Sequence, residues 1–271
     1  MKIAVLGSNG FVGSSLVQYL SKTFDVFPIN RAVLNLLDPL QVKELLNLYR
    51  FDIVINAAAS MNGPESFIDT KNNLGLFMNF YNNCERFGRF INLGSGAEFD
   101  RSKNIYLACE DTIKNILPSD SYGFSQNLKA RLCSMNPQFI TLRIFNCFGK
   151  NEPLTRIFPL FLKNQNSHRF EVINDRYFDY FAIQDLCKVV QYCVENNPID
   201  KDINCVYTQK YKISEVLKMF AHTHNLTDNI AVVSSSENNY TGNASRLKSL
   251  DLNLIGLEGG LRQYYLGIKN E

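Results

Sequence analysis

The most constraining feature of the sequence is a glycine-rich turn between an apolar segment and an amphipathic one. The turn comprises seven residues, Gly7, Ser8, Asn9, Gly10, Phe11, Val12 and Gly13. Glycines at this spacing allow a tight turn, close approach of the backbone to a pyrophosphate and close packing of helix on strand. The start of the following helix presents N–H groups and partial positive charge to phosphates. The turn predicts a dinucleotide site; the alternative is an ordinary βα turn rich in glycine.

The first half of the chain alternates apolar runs with amphipathic segments. The pattern predicts strands at 2–6, 25–29, 52–58, 90–93 and 139–145. It predicts helices at 12–20, 39–49, 73–87 and 121–134. Strands that are apolar throughout and alternate with helices form parallel sheets covered on both faces. We therefore expect an α/β fold with a Rossmann-type doubly wound parallel sheet. Residues 1–150 would form the dinucleotide-binding core, and 151–271 a smaller substrate-binding lobe, partly interleaved with it.

The composition argues against several classes of function. The 28 Lys and Arg nearly balance the 26 Asp and Glu, so charge favours neither nucleic acid nor a membrane surface as a partner. No run of about 18 apolar residues could span a bilayer. The first residues lack the apolar core of a secretory signal, which favours a cytoplasmic protein. Seven cysteines without a CxxC pair and three histidines make a metal site improbable, and we expect none.

The end of the second predicted strand bears on the choice of dinucleotide. A carboxylate there binds the ribose 2′-hydroxyl of NAD, whereas an arginine accepts the 2′-phosphate of NADP. This chain has Asn30 and Arg31 at that point and no acid. We therefore favour NADP(H), with NAD(H) as the alternative if Arg31 is an ordinary surface residue. Asp38, a few residues later, is expected to meet the adenine amino group.

Six further segments occur in the chain in an order that is informative about its family. They are Asn56-Ala57-Ala58-Ala59, Asn72-Asn73-Leu74-Gly75, Leu93-Gly94-Ser95-Gly96, Tyr122-Gly123-Phe124-Ser125, Leu142-Arg143-Ile144-Phe145-Asn146 and Arg176-Tyr177-Phe178-Asp179-Tyr180. In this order they resemble the extended short-chain dehydrogenase/reductases, a family of NAD(P)-dependent nucleotide-sugar epimerases, dehydratases and reductases. Within it, segment 31–38 is most similar to the GDP-fucose synthases, and the dTDP-4-dehydrorhamnose reductases start similarly. Both groups are NADPH-dependent 4-ketoreductases. The order of the segments is highly specific for fold and less specific for reaction.

The resemblance implies three sets of site residues. The cofactor set is the glycine turn with Asn30, Arg31, Asp38, Ala57, Ala58, Ala59 and Asn72. The substrate set is Asn146, Arg156, Arg176 and Tyr180, in which the arginines would bind a diphosphate through paired hydrogen bonds. The catalytic set is Tyr122, Ser95 and Gln126. Segment 240–246 is similar to a late loop of the family that closes over substrate.

The catalytic set departs from the family pattern at two positions. The family has a lysine four residues after the tyrosine, where this chain has Gln126, and a Ser or Thr where it has Gly96. Ser95 replaces the missing hydroxyl if the strand end shifts slightly. Lys129 lies on nearly the same helix face as Tyr122, and we expect it to be exposed; the alternative is that it partly replaces the missing cation. A tyrosine with a pKa of about 10 is a poor base at neutral pH, so the departures harm oxidation more than reduction.

These arguments favour an NADPH-dependent reductase of a nucleotide-linked 4-keto-6-deoxysugar that serves surface-polysaccharide biosynthesis. One alternative is a nucleotide-sugar epimerase with bound NAD. Another is a catalytically silent protein that binds a nucleotide sugar or a dinucleotide. The resemblance also allows a homodimer, with helices 73–87 and 121–134 at its interface.

Overall fold

Six parallel strands form the central sheet of the computed structural model, which describes residues 1–60, 66–164 and 169–269, without the side chains of 265–269. In chain order the strands are β1 (Lys2–Leu6), β2 (Asp25–Ile29), β3 (Ile53–Asn56), β4 (Arg89–Ser95), β5 (Ile105–Ala108), β6 (Phe139–Ile144), β7 (Cys147–Phe148), β8 (Phe170–Val172), β9 (Phe181–Ala182), β10 (Asp202–Cys205), β11 (Ile230–Val232) and β12 (Tyr240–Gly242). The central sheet has the order β10-β6-β4-β3-β1-β2. This confirms the doubly wound parallel sheet, whose strand order reverses beside β1.

Helices cover both faces of the sheet. In chain order they are α1 (Phe11–Leu20), α2 (Pro39–Tyr49), α3 (Phe67–Tyr81), α4 (Ser121–Ser134), α5 (Ile157–Lys163), α6 (Ile183–Glu195), α7 (Ile213–Thr223), α8 (Ser245–Lys248) and α9 (Gly256–Lys269). Apolar side chains of α1 and α6 pack on one face, and those of α2 and α3 on the other. Burial on both faces explains why the central strands are apolar throughout.

A third apolar cluster lies beyond the sheet. It is built on aromatic side chains of α5 and α7, among them Phe158, Phe161 and Phe220, with α9 packed against them. The chain after residue 150 still packs against the elements formed by residues 1–150. Helix α6 packs on α1, and β10 pairs with β6 at the edge of the central sheet. The C-terminal part therefore contributes both to the sheet and to this third apolar cluster.

The helix predicted at 73–87 is wrong in position, because α3 spans Phe67–Tyr81. Its start is set by Ser66, whose hydroxyl accepts a hydrogen bond from the Asp69 N–H at 3.3 Å. Residues Cys84–Arg86 form a separate 3₁₀ turn. Phe87 after this turn is buried, so the apolar pattern continues although the helix has ended. The bounds predicted for β2, α2 and α4 are confirmed.

The carboxyl ends of β1, β3 and β4 open on one edge of the sheet. In open parallel sheets, ligands bind at this edge where the strand order reverses.

Within the described residues, no helix is long and apolar enough to cross a membrane. The same residues contain no group of three or more His, Cys, Asp or Glu arranged to hold a metal ion.

Candidate active site

The glycine turn packs against the chain that follows β3. Gly7 has φ of 74°, a conformation that favours glycine, and a Cβ built there would lie 2.8 Å from the Ala58 backbone. A Cβ on Gly13 would collide with the Gly7 carbonyl oxygen. The two glycines therefore bring the start of α1 close to β1 and β3. The first N–H groups of α1 lack partners within the helix, so this end suits an anion.

A groove of about 840 Å³ runs along this turn. Of the predicted cofactor residues, nine line it: Gly7, Asn9, Gly10, Asn30, Arg31, Ala57, Ala58, Ala59 and Asn72. Apolar side chains form the far wall, namely Leu34, Leu36, Leu37 and Leu76. An apolar wall beside a glycine turn fits an adenine ring joined to a pyrophosphate. Arg31 is exposed at the rim, and Asn30 donates a hydrogen bond to Asn9 at 3.2 Å.

Three of the predicted cofactor residues do not line this groove or the cavity beside it. Asp38 caps α2, and its carboxylate accepts hydrogen bonds from the Leu40 and Gln41 N–H groups at 2.9 and 3.2 Å. A capping carboxylate one residue before the helix is bound by the helix itself, so the structure does not direct Asp38 to an adenine. Gly13 lets the start of α1 pack closely against the Gly7 carbonyl group. Ser8 is buried, and its hydroxyl has no partner among the described residues, which a pyrophosphate would supply.

A second cavity of about 450 Å³ adjoins the groove and shares Ala57, Ala58 and Ala59 with it. Its lining includes most of the remaining predicted residues, Phe11, Val12, Ser95, Tyr122, Asn146, Arg156 and Arg176. These come from the end of β4, the start of α4 and the C-terminal part. The tertiary structure thus places catalytic and substrate candidates next to the dinucleotide groove.

The start of α4 positions Tyr122 in the cavity. Asp120 is the N-cap, and its carboxylate accepts a hydrogen bond from the Gly123 N–H at 2.8 Å. A Cβ on Gly123 would lie 2.6 Å from the Ala97 carbonyl oxygen, so only glycine lets the helix start so near β4. Arg101 pairs with Asp120 at 2.7 Å, and its guanidinium lies 5.7 Å from the centre of the Tyr122 ring.

Ser95 lies at the end of β4 and lines the cavity together with Tyr122. Its backbone N–H donates to the Glu98 carboxylate at 2.8 Å, and its hydroxyl accepts from the Ala97 N–H at 3.2 Å. Glu98 is fully buried and pairs with Arg143 at 2.6 Å. This buried pair fixes the turn that presents the Ser95 hydroxyl to the cavity.

The cavity raises the pKa of Tyr122. Burial of the phenol is the main cause, and the nearby Glu98 carboxylate acts in the same direction. A hydrogen bond with Ser95 and the positive charge of Arg101 oppose the rise. Because burial dominates, Tyr122 is a neutral phenol at physiological pH and has a proton to donate.

Gln126 and Lys129 lie beneath the cavity rather than in its lining. Gln126 is buried, and its side-chain oxygen has no partner among the described residues. The prediction that Lys129 is exposed is wrong, because only 1% of this residue is accessible to solvent. Burial lowers the pKa of Lys129 to about 8, while the Glu98 carboxylate acts in the opposite direction. The helix packs so closely against the turn after β4 that its seventh residue beyond Tyr122 is enclosed.

The substrate candidates divide into two groups. Arg156 donates a hydrogen bond to the Asn146 side-chain oxygen, and both line the cavity. Arg176 donates to the Asn238 carbonyl oxygen at 3.0 Å, and its buried Nε has no partner in the described chain. Tyr180 does not line the cavity. It is buried among Phe148 and Phe158 and belongs to the third apolar cluster.

Several residues of the cavity were not predicted as site residues. They are Leu93, Gly94, Arg101, Ile144, Phe145, Cys147, Phe178, Asn239 and Tyr240. Tyr240 carried a signal as the first residue of the loop resembling one that closes over substrate, and Leu93, Gly94, Ile144, Phe145 and Phe178 lie within the segments that resemble the family. Arg101 lies in a loop without motif. Its place depends on the ion pair with Asp120, which joins residues 19 apart.

A glycine turn beside a groove, with a protonated tyrosine and a serine at its end, defines an NAD(P)-dependent oxidoreductase. The chain belongs to the NAD dependent epimerase/dehydratase family, whose model matches residues 3–205. The resemblance seen in the sequence is thereby confirmed.

Individual proteins are similar to the chain over most of its length. It is 24% identical over 245 residues to the CDP-abequose synthase of Yersinia pseudotuberculosis, which covers 80% of this chain and 82% of that protein. The GDP-D-glycero-L-gluco-heptose synthase of Campylobacter jejuni, solved with NADPH, gives a TM-score of 0.83 at 18% identity and covers 99% of this chain and 98% of that chain. The GDP-mannoheptose C4 reductase of the same organism, with NADP bound, gives a TM-score of 0.82 at 21% identity. The match covers 99% of this chain and 98% of that chain.

Proposed function

We propose that the protein is an NADPH-dependent reductase of a nucleotide-linked 4-ketosugar, with a 4-keto-6-deoxysugar as the favoured substrate, in the synthesis of a surface polysaccharide. The observation that carries the proposal is the meeting of Tyr122 and Ser95 in a cavity that opens on the dinucleotide groove. A neutral phenol at this point is an acid and suits the step from ketone to alcohol.

The residues of the chain would divide the work as follows. Bound NADPH supplies the hydride to the carbonyl carbon. Tyr122 donates its proton to the carbonyl oxygen, which the Ser95 hydroxyl helps to hold, and water returns a proton to Tyr122. Arg176, with Arg156 beside Asn146, would bind the diphosphate of the substrate. The aromatic wall of Phe145 and Phe178 suits the apolar C6 methyl of a 6-deoxysugar.

Similar proteins support this choice of cofactor and substrate. The two solved structures named above contain NADPH or NADP, and one of them is a C4 reductase of a nucleotide-linked sugar. An epimerase with bound NAD is less well supported. Its cycle begins with oxidation and needs a basic tyrosine, whereas burial raises the pKa of Tyr122. The silent-protein alternative rests on Gln126 and Gly96 alone.

The proposal is tested by adding 4-ketosugars linked to CDP, GDP or dTDP, with and without a C6 hydroxyl, to the purified protein and NADPH. The expected result is stoichiometric oxidation of NADPH, with deuterium from deuterated NADPH appearing at C4 of the product. Tightly retained NAD with interconversion of two sugars and no NADPH consumption would instead indicate an epimerase. If no dinucleotide binds, the enzymatic proposal fails.

Arg31→Ala is expected to raise the Kd for NADPH by a factor of about 10 to 100, because it removes one or two charge-assisted hydrogen bonds to the 2′-phosphate. The Kd for NADH should stay unchanged, because NADH lacks that phosphate. Calorimetric titration of both dinucleotides measures the two values. Lys22→Ala, an exposed lysine outside the groove, is the matched control. Equal weakening of both dinucleotides would contradict the role of Arg31.

The rate of reduction is expected to stay constant from neutral pH to about pH 10 and to fall only above it. Tyr122 acts in its protonated form, and its pKa is raised above the usual value, so activity is lost as pH rises through that pKa. A profile of kcat against pH for the wild-type protein measures the effect. A rate that increases with pH would show that the phenolate is the active form.

A further inference from the structure

The active-site cavity contains a second tyrosine hydroxyl. Tyr240 begins β12 and lines the same cavity as Tyr122, with 7% of the residue exposed. Its ring packs between two aromatic residues, with ring centres 5.0 Å from Phe145 and 5.1 Å from Phe178. These contacts hold the ring in place and leave the hydroxyl at the end of β4.

The hydroxyl of Tyr240 takes space that a side chain at position 96 would need. A Cβ built on Gly96 would lie 2.7 Å from the Tyr240 hydroxyl oxygen and 2.5 Å from Cδ1 of Phe145. Position 96 is where the resemblance places a Ser or Thr hydroxyl. The glycine and the tyrosine are therefore complementary, since the loss of one side chain makes room for the other.

The backbone around Tyr240 is held by bonds to a buried ion pair. The Asp179 N–H donates to the Tyr240 carbonyl oxygen at 3.0 Å, and the Gly242 N–H donates to the Asp179 carboxylate at 2.8 Å. Lys210 pairs with the same carboxylate at 2.8 Å. Tyr240 is thus bound by the backbone of Asp179 and Gly242 by its side chain, so the hydroxyl is presented from a rigid support.

The Ser95 hydroxyl connects the two tyrosines. It interacts with the hydroxyl groups of Tyr122 and Tyr240, and each interaction lowers the pKa of the phenol concerned. Burial nevertheless raises the pKa of Tyr240 far above its usual value. Tyr240 therefore keeps its proton at any physiological pH and is available as a hydrogen-bond donor.

We propose that Tyr240 is a second catalytic residue, whose hydroxyl donates a hydrogen bond to the carbonyl oxygen that Tyr122 protonates. It replaces the hydroxyl that Gly96 lacks. This inference rests on the proposed reduction. Hydride from the reduced dinucleotide adds to the carbonyl carbon, the dinucleotide is oxidised, and the Tyr122 proton goes to the oxygen. Water then reprotonates Tyr122, and Tyr240 retains its own proton throughout.

Tyr240→Phe tests the inference, because it keeps the ring contacts and removes only the hydroxyl. We expect kcat for the 4-ketosugar nucleotide to fall about 10²-fold, as for removal of one donor to a developing oxyanion. The Kd for NADPH and the midpoint of thermal unfolding should not change. Tyr177→Phe is the matched control, because Tyr177 is a neighbouring tyrosine outside the cavity lining and its variant should keep the wild-type kcat.

A titration without substrate separates this inference from the proposed reaction. The protein has 13 tyrosines, and ¹³Cζ labelling with NMR detects the ionisation of each. The Tyr122 signal is the one lost in Tyr122→Phe. In Tyr240→Phe the pKa of Tyr122 should fall, since the single Ser95 hydroxyl proton then serves Tyr122 alone.

The outcomes are distinct. Wild-type kcat in Tyr240→Phe would overturn the inference, as would an unmoved pKa of Tyr122. If the wild-type protein reduces none of the ketosugars, the proposed reduction fails. The titration then decides by itself whether the two phenols share Ser95, and a fall in the Tyr122 pKa would support the shared hydroxyl.

Discussion

Tyr122→Phe is expected to lower kcat for ketosugar reduction about 10³-fold, because it removes the proton that neutralises the developing alkoxide. The phenylalanine ring keeps the shape of the cavity wall, and the glycine turn is untouched. The Kd for NADPH should therefore stay at its wild-type value. Initial rates of NADPH oxidation, combined with calorimetric titration of NADPH, measure the two quantities on the same preparation.

Tyr81→Phe provides the control for this experiment. Tyr81 lies at the end of α3 and packs on Phe77 and Phe139, away from the cavity. Its variant also lacks one tyrosine hydroxyl and should turn over at the wild-type rate. If Tyr122→Phe also retains wild-type kcat, Tyr122 is not the proton donor, and the assignment of this cavity as the reaction centre fails.

Arg143→Met is expected to reduce the free energy of unfolding by about 3–5 kcal/mol, the usual cost of leaving a buried charge without its partner. Arg143 is inaccessible to solvent and pairs with Glu98, which is equally buried. It also donates to Asn204 at 3.0 Å and pairs with Asp202. Urea denaturation followed by circular dichroism measures the loss. Because Glu98 holds the Ser95 N–H, kcat should fall as well.

The loss in Arg143→Met should depend on pH in a defined direction. Burial raises the pKa of Glu98 in the folded protein, and removal of the guanidinium raises it further. Protonation relieves the unpaired charge, so the destabilisation is smaller at acidic pH and grows as the pH rises through the raised pKa of Glu98.

Lys103→Met serves as the control for the buried pair. Lys103 pairs with Asp100 at 3.6 Å, but its side chain is 75% exposed. Removing an exposed pair changes stability by at most about 1 kcal/mol. Equal losses in the two variants would show that burial does not decide the energy of the Glu98–Arg143 pair.

Local pattern predicted the sheet and many of its helices because the relevant forces act between near neighbours in sequence. The bounds of α2 and α4 follow from periodic apolar residues and an aspartate at each start. Helix α3 was misplaced because Ser66 begins it and a separate 3₁₀ turn follows it. The spacing of apolar residues alone does not distinguish a helix that continues from a separate turn whose apolar residues are buried on the same face.

Motif order predicted a group of residues that the structure brings to one groove and one cavity, although they lie far apart in the chain. The exceptions are instructive. Asp38 was expected at an adenine, but the helix it precedes binds its carboxylate. Tyr180 was expected at the substrate, but aromatic packing in the lobe encloses it. In each case another part of the protein already engages the side chain: the start of α2 binds Asp38, and Phe148 and Phe158 pack on Tyr180.

The sequence by itself determined the parallel sheet, the glycine turn and the place of the chain in its family, because spacing along the backbone encodes them directly. Only the tertiary structure decided that Lys129 is buried and that Tyr240 fills the space above Gly96. Gly96 and Tyr240 are 144 positions apart, and no periodicity of the chain relates them. Their contact exists because β12, held through Asp179, is packed against the 3₁₀ turn Gly96–Phe99 that follows β4.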